Sequence, residues 1–197
     1  MRKVMISLVC LLSLLAVYPA QAIIIVAITP SNQIVAVGTP VNIALTISGL
    51  GDYTAPSLST FDLDVNFDPT LLTFGSAAFG DPILGDQLDL TGLGTITDIS
   101  NPAPGKVNLF ELSFDSATDL DTLQAGNFTL ATLSFNTLAG GVSPLTIVIN
   151  ALGDASGDPL TATASNGSVT IPDPTTLMLL MAGLFGMLGW NKKHLWV

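Results

Sequence analysis

Asp62 and Asp64 stand two apart in the run Phe61-Asp62-Leu63-Asp64-Val65-Asn66-Phe67, and paired carboxylates are the one acid-base constellation that this 197-residue chain offers. On an extended strand, positions i and i+2 share a face about 6 to 7 Å apart. That lies within the range of about 5 to 9.5 Å over which two carboxyl groups hydrolyse glycosides. The reaction also needs a cleft lined with aromatic rings and polar donors, and residues 23–171 contain no Trp and one Tyr, Tyr53. The same interval has no His, Cys or Arg and a single base, Lys106. A nucleophile therefore has no His to activate it, and one lysine makes no clamp for an oxyanion or a phosphoryl group. The expectation is a non-enzyme. A solvated strand face that discourages edge-to-edge association accounts for Asp62, Asp64 and Asn66 more simply, and the same three residues could contribute to a partner-binding face.

Hard cations are the remaining chemistry, since they take carboxylate and carbonyl oxygens. Gly153-Asp154-Ala155-Ser156-Gly157-Asp158 sets two acids in a Gly-rich loop, and Asp119-Leu120-Asp121 sets two more close together. Neither has the twelve-residue ligand order or closing Glu of an EF-hand, and each also reads as a plain turn. Calcium is thus the one cofactor to test, at Asp119, Asp121, Asp154 and Asp158. Fourteen of the fifteen acids fall within residues 23–171, for a net charge of minus thirteen there. Such a surface excludes a nucleic-acid partner, because that affinity rests on Lys and Arg neutralising phosphates.

The elements that must position these residues are strands. Val41-Asn42-Ile43-Ala44-Leu45-Thr46-Ile47 alternates apolar and polar positions, and 61–67 does so more strictly, with its acids facing water. Further strands are expected at 23–28, 71–74, 95–99, 106–114, 127–136, 145–151 and 160–171, with one helical segment around 116–125. Gly, Pro, Asn and Asp clusters at 36–40, 68–69, 101–105, 140–141 and 153–159 supply the turns. About nine short strands with a buried and a polar face predict an all-β fold, an antiparallel β-sandwich or jelly roll.

Both ends are different in kind. Residues 1–22 carry Arg2 and Lys3, an apolar run, and Ala20-Gln21-Ala22, the three parts of a secretory signal peptide cut by signal peptidase after Ala22. Residues 172–197 hold an apolar stretch at 177–190 and a basic tip, Lys192-Lys193. As a single helix the stretch covers about 21 Å, short of a hydrocarbon core of about 30 Å. The lysines would keep that tip cytoplasmic and leave the body outside. With Ile171-Pro172-Asp173-Pro174-Thr175 before it, this end resembles a PEP-CTERM sorting signal, Asp173 standing where that pattern usually has Glu. The resemblance implies transient anchoring in the inner membrane of a Gram-negative bacterium that makes exopolysaccharide, and processing by an exosortase near Pro172, Asp173 and Pro174.

A second resemblance covers most of residues 24–171. Val35-Ala36-Val37-Gly38-Thr39-Pro40, then Phe61 to Phe67 entering Asp68-Pro69 and Leu71-Leu72-Thr73-Phe74, then Gly126-Asn127-Phe128-Thr129-Leu130-Ala131-Thr132-Leu133-Ser134-Phe135 are similar to the strands of a cohesin-type domain. This implies a nine-stranded jelly roll binding a dockerin-like protein across one flat sheet face. The function expected is an exported binding or adhesion module of the cell surface or extracellular matrix. A module binding matrix polysaccharide, or a structural matrix protein, is the alternative.

Overall fold

The computed structural model describes residues 23–173 together with 178, 179 and 183. Ala20, Ala22, Pro174, Lys192 and Lys193 lie outside the described residues, so the signal peptide and most of the sorting segment do too. Pro172 and Asp173 close the continuous stretch, and Met178, Leu179 and Gly183 are helical. Among the described residues no helix is long and apolar enough to cross a membrane.

Within the continuous described stretch, residues 23–173, eleven strands and one short helix build a two-layered sandwich. They are β1 (Ile24–Thr29), β2 (Asn32–Ile34), β3 (Pro40–Ser48), β4 (Leu58–Asn66), β5 (Leu72–Phe79), β6 (Thr95–Ala103), β7 (Lys106–Ser113), α1 (Ala117–Leu123), β8 (Asn127–Thr137), β9 (Gly141–Asp154), β10 (Ala162–Ser165) and β11 (Gly167–Ile171). One sheet has the order β10-β1-β3-β8-β5 and the other β2-β11-β9-β4-β7-β6. Alternation drives the layering. Val41, Ile43, Leu45 and Ile47 of β3 are buried and alternate with exposed or half-buried Asn42, Ala44 and Thr46. Facing them across the sandwich are Phe61, Leu63 and Val65 of β4, and Val107 and Leu109 of β7. Phe135 of β8 is fully buried, with Phe67 and Phe74 edge-on at centroid distances of 5.0 and 5.8 Å. Burying such a ring contributes about 2 to 3 kcal/mol.

The sheets are mixed, which corrects the expectation of purely antiparallel pairing and of about nine strands. β1 runs parallel to β10, and β2 runs parallel to β11. The stretch 160–171, expected to be one strand, is two strands in different layers. Asn166 separates them, and its side-chain carbonyl accepts from the Ile147 N–H at 2.9 Å. β2 carries only three residues and no alternation to betray it. The helix forms where expected. Ser116 caps it by accepting from the Asp119 N–H at 3.2 Å, while its hydroxyl donates to the Asp119 carboxylate at 2.6 Å. The β6–β7 hairpin turns at Gly105, whose φ of 78° and close approach to the Phe67 carbonyl exclude a side chain.

Candidate functional site

The outer face of the six-stranded sheet gathers the residues with binding chemistry. The register aligns Ile96, Asp98 and Ser100 of β6 with Leu112, Phe110 and Asn108 of β7. Those lie opposite Thr60, Asp62 and Asp64 of β4, and Asp64 lies opposite Val148 of β9. Ile96 and Val148 remain about half exposed, at 48% and 46%, so apolar side chains flank the acids.

The acids are fixed in place. Asp62 Oδ1 accepts from Asn108 Nδ2 at 2.6 Å and from Asn150 Nδ2 at 3.0 Å. Asp64 accepts from Asn108 Nδ2 at 3.0 Å and pairs with Lys106 Nζ at 2.6 Å. Asn150 reaches this face because the β4–β9 ladder slips between Asp62 and Leu63, leaving it as an extra residue in β9. Such a bulge re-aims a side chain.

Asp64 is 4% exposed, which corrects the reading of a freely solvated face. Its neighbours Asn108, Val148 and Lys106 cover it, while Asp62 and Asn66 stay partly exposed as expected. Burial alone would raise the Asp64 pKa, but the bonds from Lys106, Asn108 and Asn150, with the Lys106 charge, outweigh it and hold the carboxyl below its ordinary value. That is the wrong direction for Asp64 to serve as a general acid. Replacing Lys106 by Met is expected to lower stability near neutral pH by about 1 kcal/mol, because Lys106 is itself partly exposed. A depressed acid stabilises above its unfolded pKa and loses that contribution as pH falls. The difference between wild type and variant in urea melts should therefore shrink below the ordinary value of 3.8.

The four expected calcium residues lie in two separate places, Asp119 and Asp121 on α1 and Asp154 and Asp158 at the turn that follows β9. Asp119, in the first turn of α1, accepts from the Ser116 hydroxyl at 2.6 Å, and Asp121 accepts from the Ser57 hydroxyl at 2.7 Å. Asp154 Oδ1 accepts from the N–H groups of Ser156 and Asp158 at 2.9 and 2.8 Å, which builds a turn. Among the described residues no three His, Cys, Asp or Glu are grouped to hold a metal ion. The sequence reading missed Asn108 and Asn150 and gave Lys106 no role. Lys106 and Asn108 were legible in principle, because they lie in phase on a strand beside the acids. Asn150 was not, since it depends on the bulge. An open cleft of about 490 Å³ lies at the β6–β7 turn, lined by Phe67, Pro69, Phe74, Pro102, Pro104 and Leu138 among others.

No protein-family model matches the sequence, and no curated protein matches it either. Solved structures do match the fold. A cohesin of Clostridium thermocellum, Coh-OlpC in complex with Doc435, superposes with a TM-score of 0.60 at 16% identity, covering 80% of this chain and 99% of that one. The sixth cohesin of scaffoldin B from Acetivibrio cellulolyticus, in complex with a Cel5 dockerin mutant, gives 0.57 at 21% identity over 75% and 98%. A non-cellulosomal cohesin from Archaeoglobus fulgidus gives 0.53 at 17% identity over 77% and 91%. The described body of this chain has the cohesin fold.

Proposed function

We propose that this chain is an exported, non-catalytic protein-binding module that docks a dockerin-like protein on the outer face of β6-β7-β4-β9. The observation carrying this reading is the hydrogen-bonded set of Asp62, Asp64, Asn108, Asn150 and Lys106, held rigid among Ile96, Leu112 and Val148. A face whose polar groups are already oriented loses little entropy on binding. The fold likeness supports the partner class, since several neighbours were solved with dockerins bound. The acidic body favours partners that present basic or hydroxyl groups and speeds their encounter.

Export fits the sequence pattern at Ala20-Gln21-Ala22, and release by an exosortase-type enzyme fits Pro172-Asp173-Pro174 and the Lys192-Lys193 tip. Intact mass of the native product tests both cuts. Calorimetric titration of the protein with a panel of dockerin modules is expected to give one saturable 1:1 complex. Asp62→Lys should weaken it at least about tenfold, or about 1.4 kcal/mol. If no dockerin binds and a glycan array retains the protein instead, the surface serves a polysaccharide. Concentration-dependent self-association without either ligand points to a structural matrix role.

A further inference from the structure

Glu111 alternates in phase with buried Val107 and Leu109 of β7, so its side chain enters the sandwich and is 1% exposed. Its cross-strand neighbours are Phe61 on β4 and Thr97 on β6. Segment 80–94 covers this region of β7. The Ser113 hydroxyl donates to the Leu88 carbonyl at 2.5 Å, and the Leu90 N–H donates to Asp115 at 2.6 Å. The same segment carries Asp86 and Asp89, whose charges act on Glu111. Each spends one oxygen locally: Asp86 Oδ1 on the Leu88 N–H at 2.9 Å, and Asp89 Oδ1 on the Gly94 N–H at 2.8 Å. Neither oxygen of Glu111 has a hydrogen-bond partner, although both are buried.

Buried polar atoms are almost always paired, and an ionised carboxylate without a donor is strongly disfavoured. Burial first, then the charges of Asp86 and Asp89, push the Glu111 pKa up to about 8, while Thr95 opposes the rise. One shared proton would satisfy one of these oxygens. A hard divalent cation would satisfy both oxygens of Glu111 and the second oxygen of Asp86 at once, completing its shell with water and main-chain carbonyls.

We propose that Glu111 and Asp86 form a site for a hard divalent cation, calcium by ligand type, with Asp89 contributing its charge from one step further out. Asp86 and Asp89 are half-buried, so the site is reached from solvent through segment 80–94. Two direct carboxylates place its affinity at the weak end, about 10⁻⁴ to 10⁻³ M, the range of extracellular modules. The site is separate from Asp154 and Asp158, whose turn is complete without an ion.

The test uses the full chain stripped with a chelator at pH 7.5, titrated with calcium chloride at constant ionic strength by calorimetry and thermal unfolding. Wild type should show one binding event and a rise in melting temperature. Both should weaken at least about tenfold in Glu111→Gln and Asp86→Asn, and stay unchanged in Asp154→Asn. Glu111→Gln replaces a largely protonated buried carboxyl by a neutral amide of the same shape, so it should fold, and circular dichroism checks this. Absence of binding in wild type overturns the site and leaves a proton-sharing pair. An equal response in Glu111→Gln also overturns it, because calcium would then be relieving general negative charge.

Discussion

In buffer free of divalent cations, Glu111→Gln should stabilise the protein at pH 8 by about 3 kcal/mol and flatten its stability profile between pH 5 and pH 8. The sign follows from the direction of the shift. Glu111 has an ordinary value of 4.5 and is raised to about 8, so the folded chain holds a proton that the unfolded chain has lost. Wild-type stability accordingly falls as pH climbs through that interval, by up to about 1.4 kcal/mol per pH unit. The groups facing Glu111 are Asp86 and Asp89 from the covering segment and Thr95 from β6. Their acids raise the pKa further, so they cannot reverse the slope. Asp64, Asp68 and Asp81 are shifted down and lose their contributions in acid, below 3.8, outside this interval. Stability should therefore peak in mildly acidic solution. Urea midpoints at half-unit steps from pH 4 to pH 9 measure this, and a wild-type profile as flat as that of the variant would falsify the assignment.

The second large effect is expected at Gln124, just after α1. Its side chain is 1% exposed and works as a clamp. Oε1 accepts from the Leu58 N–H at 2.6 Å, and Nε2 donates to the carbonyls of Leu58 and Gln87 at 2.8 Å each. It thereby substitutes for a missing strand at the start of β4 and ties segment 80–94 to it. Gln124→Ala strands one donor and two acceptors in the interior. Each unsatisfied group costs about 1 to 3 kcal/mol, so a loss of about 3 kcal/mol is expected after partial rewetting. For a domain of this size that corresponds to a melting temperature lower by about 6 to 12 °C. A drop under about 2 °C would mean that water replaces the clamp without penalty.

The strand content was legible because period-two alternation reports burial directly, as in β3 and β4. The parallel pairing of β1 with β10 and of β2 with β11 was not, since it joins residues more than 130 apart and leaves no local pattern. At the candidate face, Asp62 and Asp64 announced themselves by type and spacing. The burial of Asp64 depended on neighbours contributed by two other strands, so alternation alone assigned it to water. Glu111 was readable and passed over: an acid in phase with Val107 and Leu109 breaks the pattern of its strand. Such a break is where function or strain is expected.

The two parallel pairings bear on how the body responds to being pulled. Ile24 opens β1 beside Ala162, whereas β11 ends beyond Thr170, which sits beside Ile34, so the two described chain ends emerge at opposite poles. Tension applied between those poles would drag β1 and β2 lengthwise against β10 and β11. Their hydrogen bonds would then bear load in shear, sharing it across the ladder rather than opening one after another. Rupture under force is governed by the unfolding rate, which such load-sharing slows. A protein held at one pole and gripped through a partner elsewhere would thus carry a mechanical latch across its own seam.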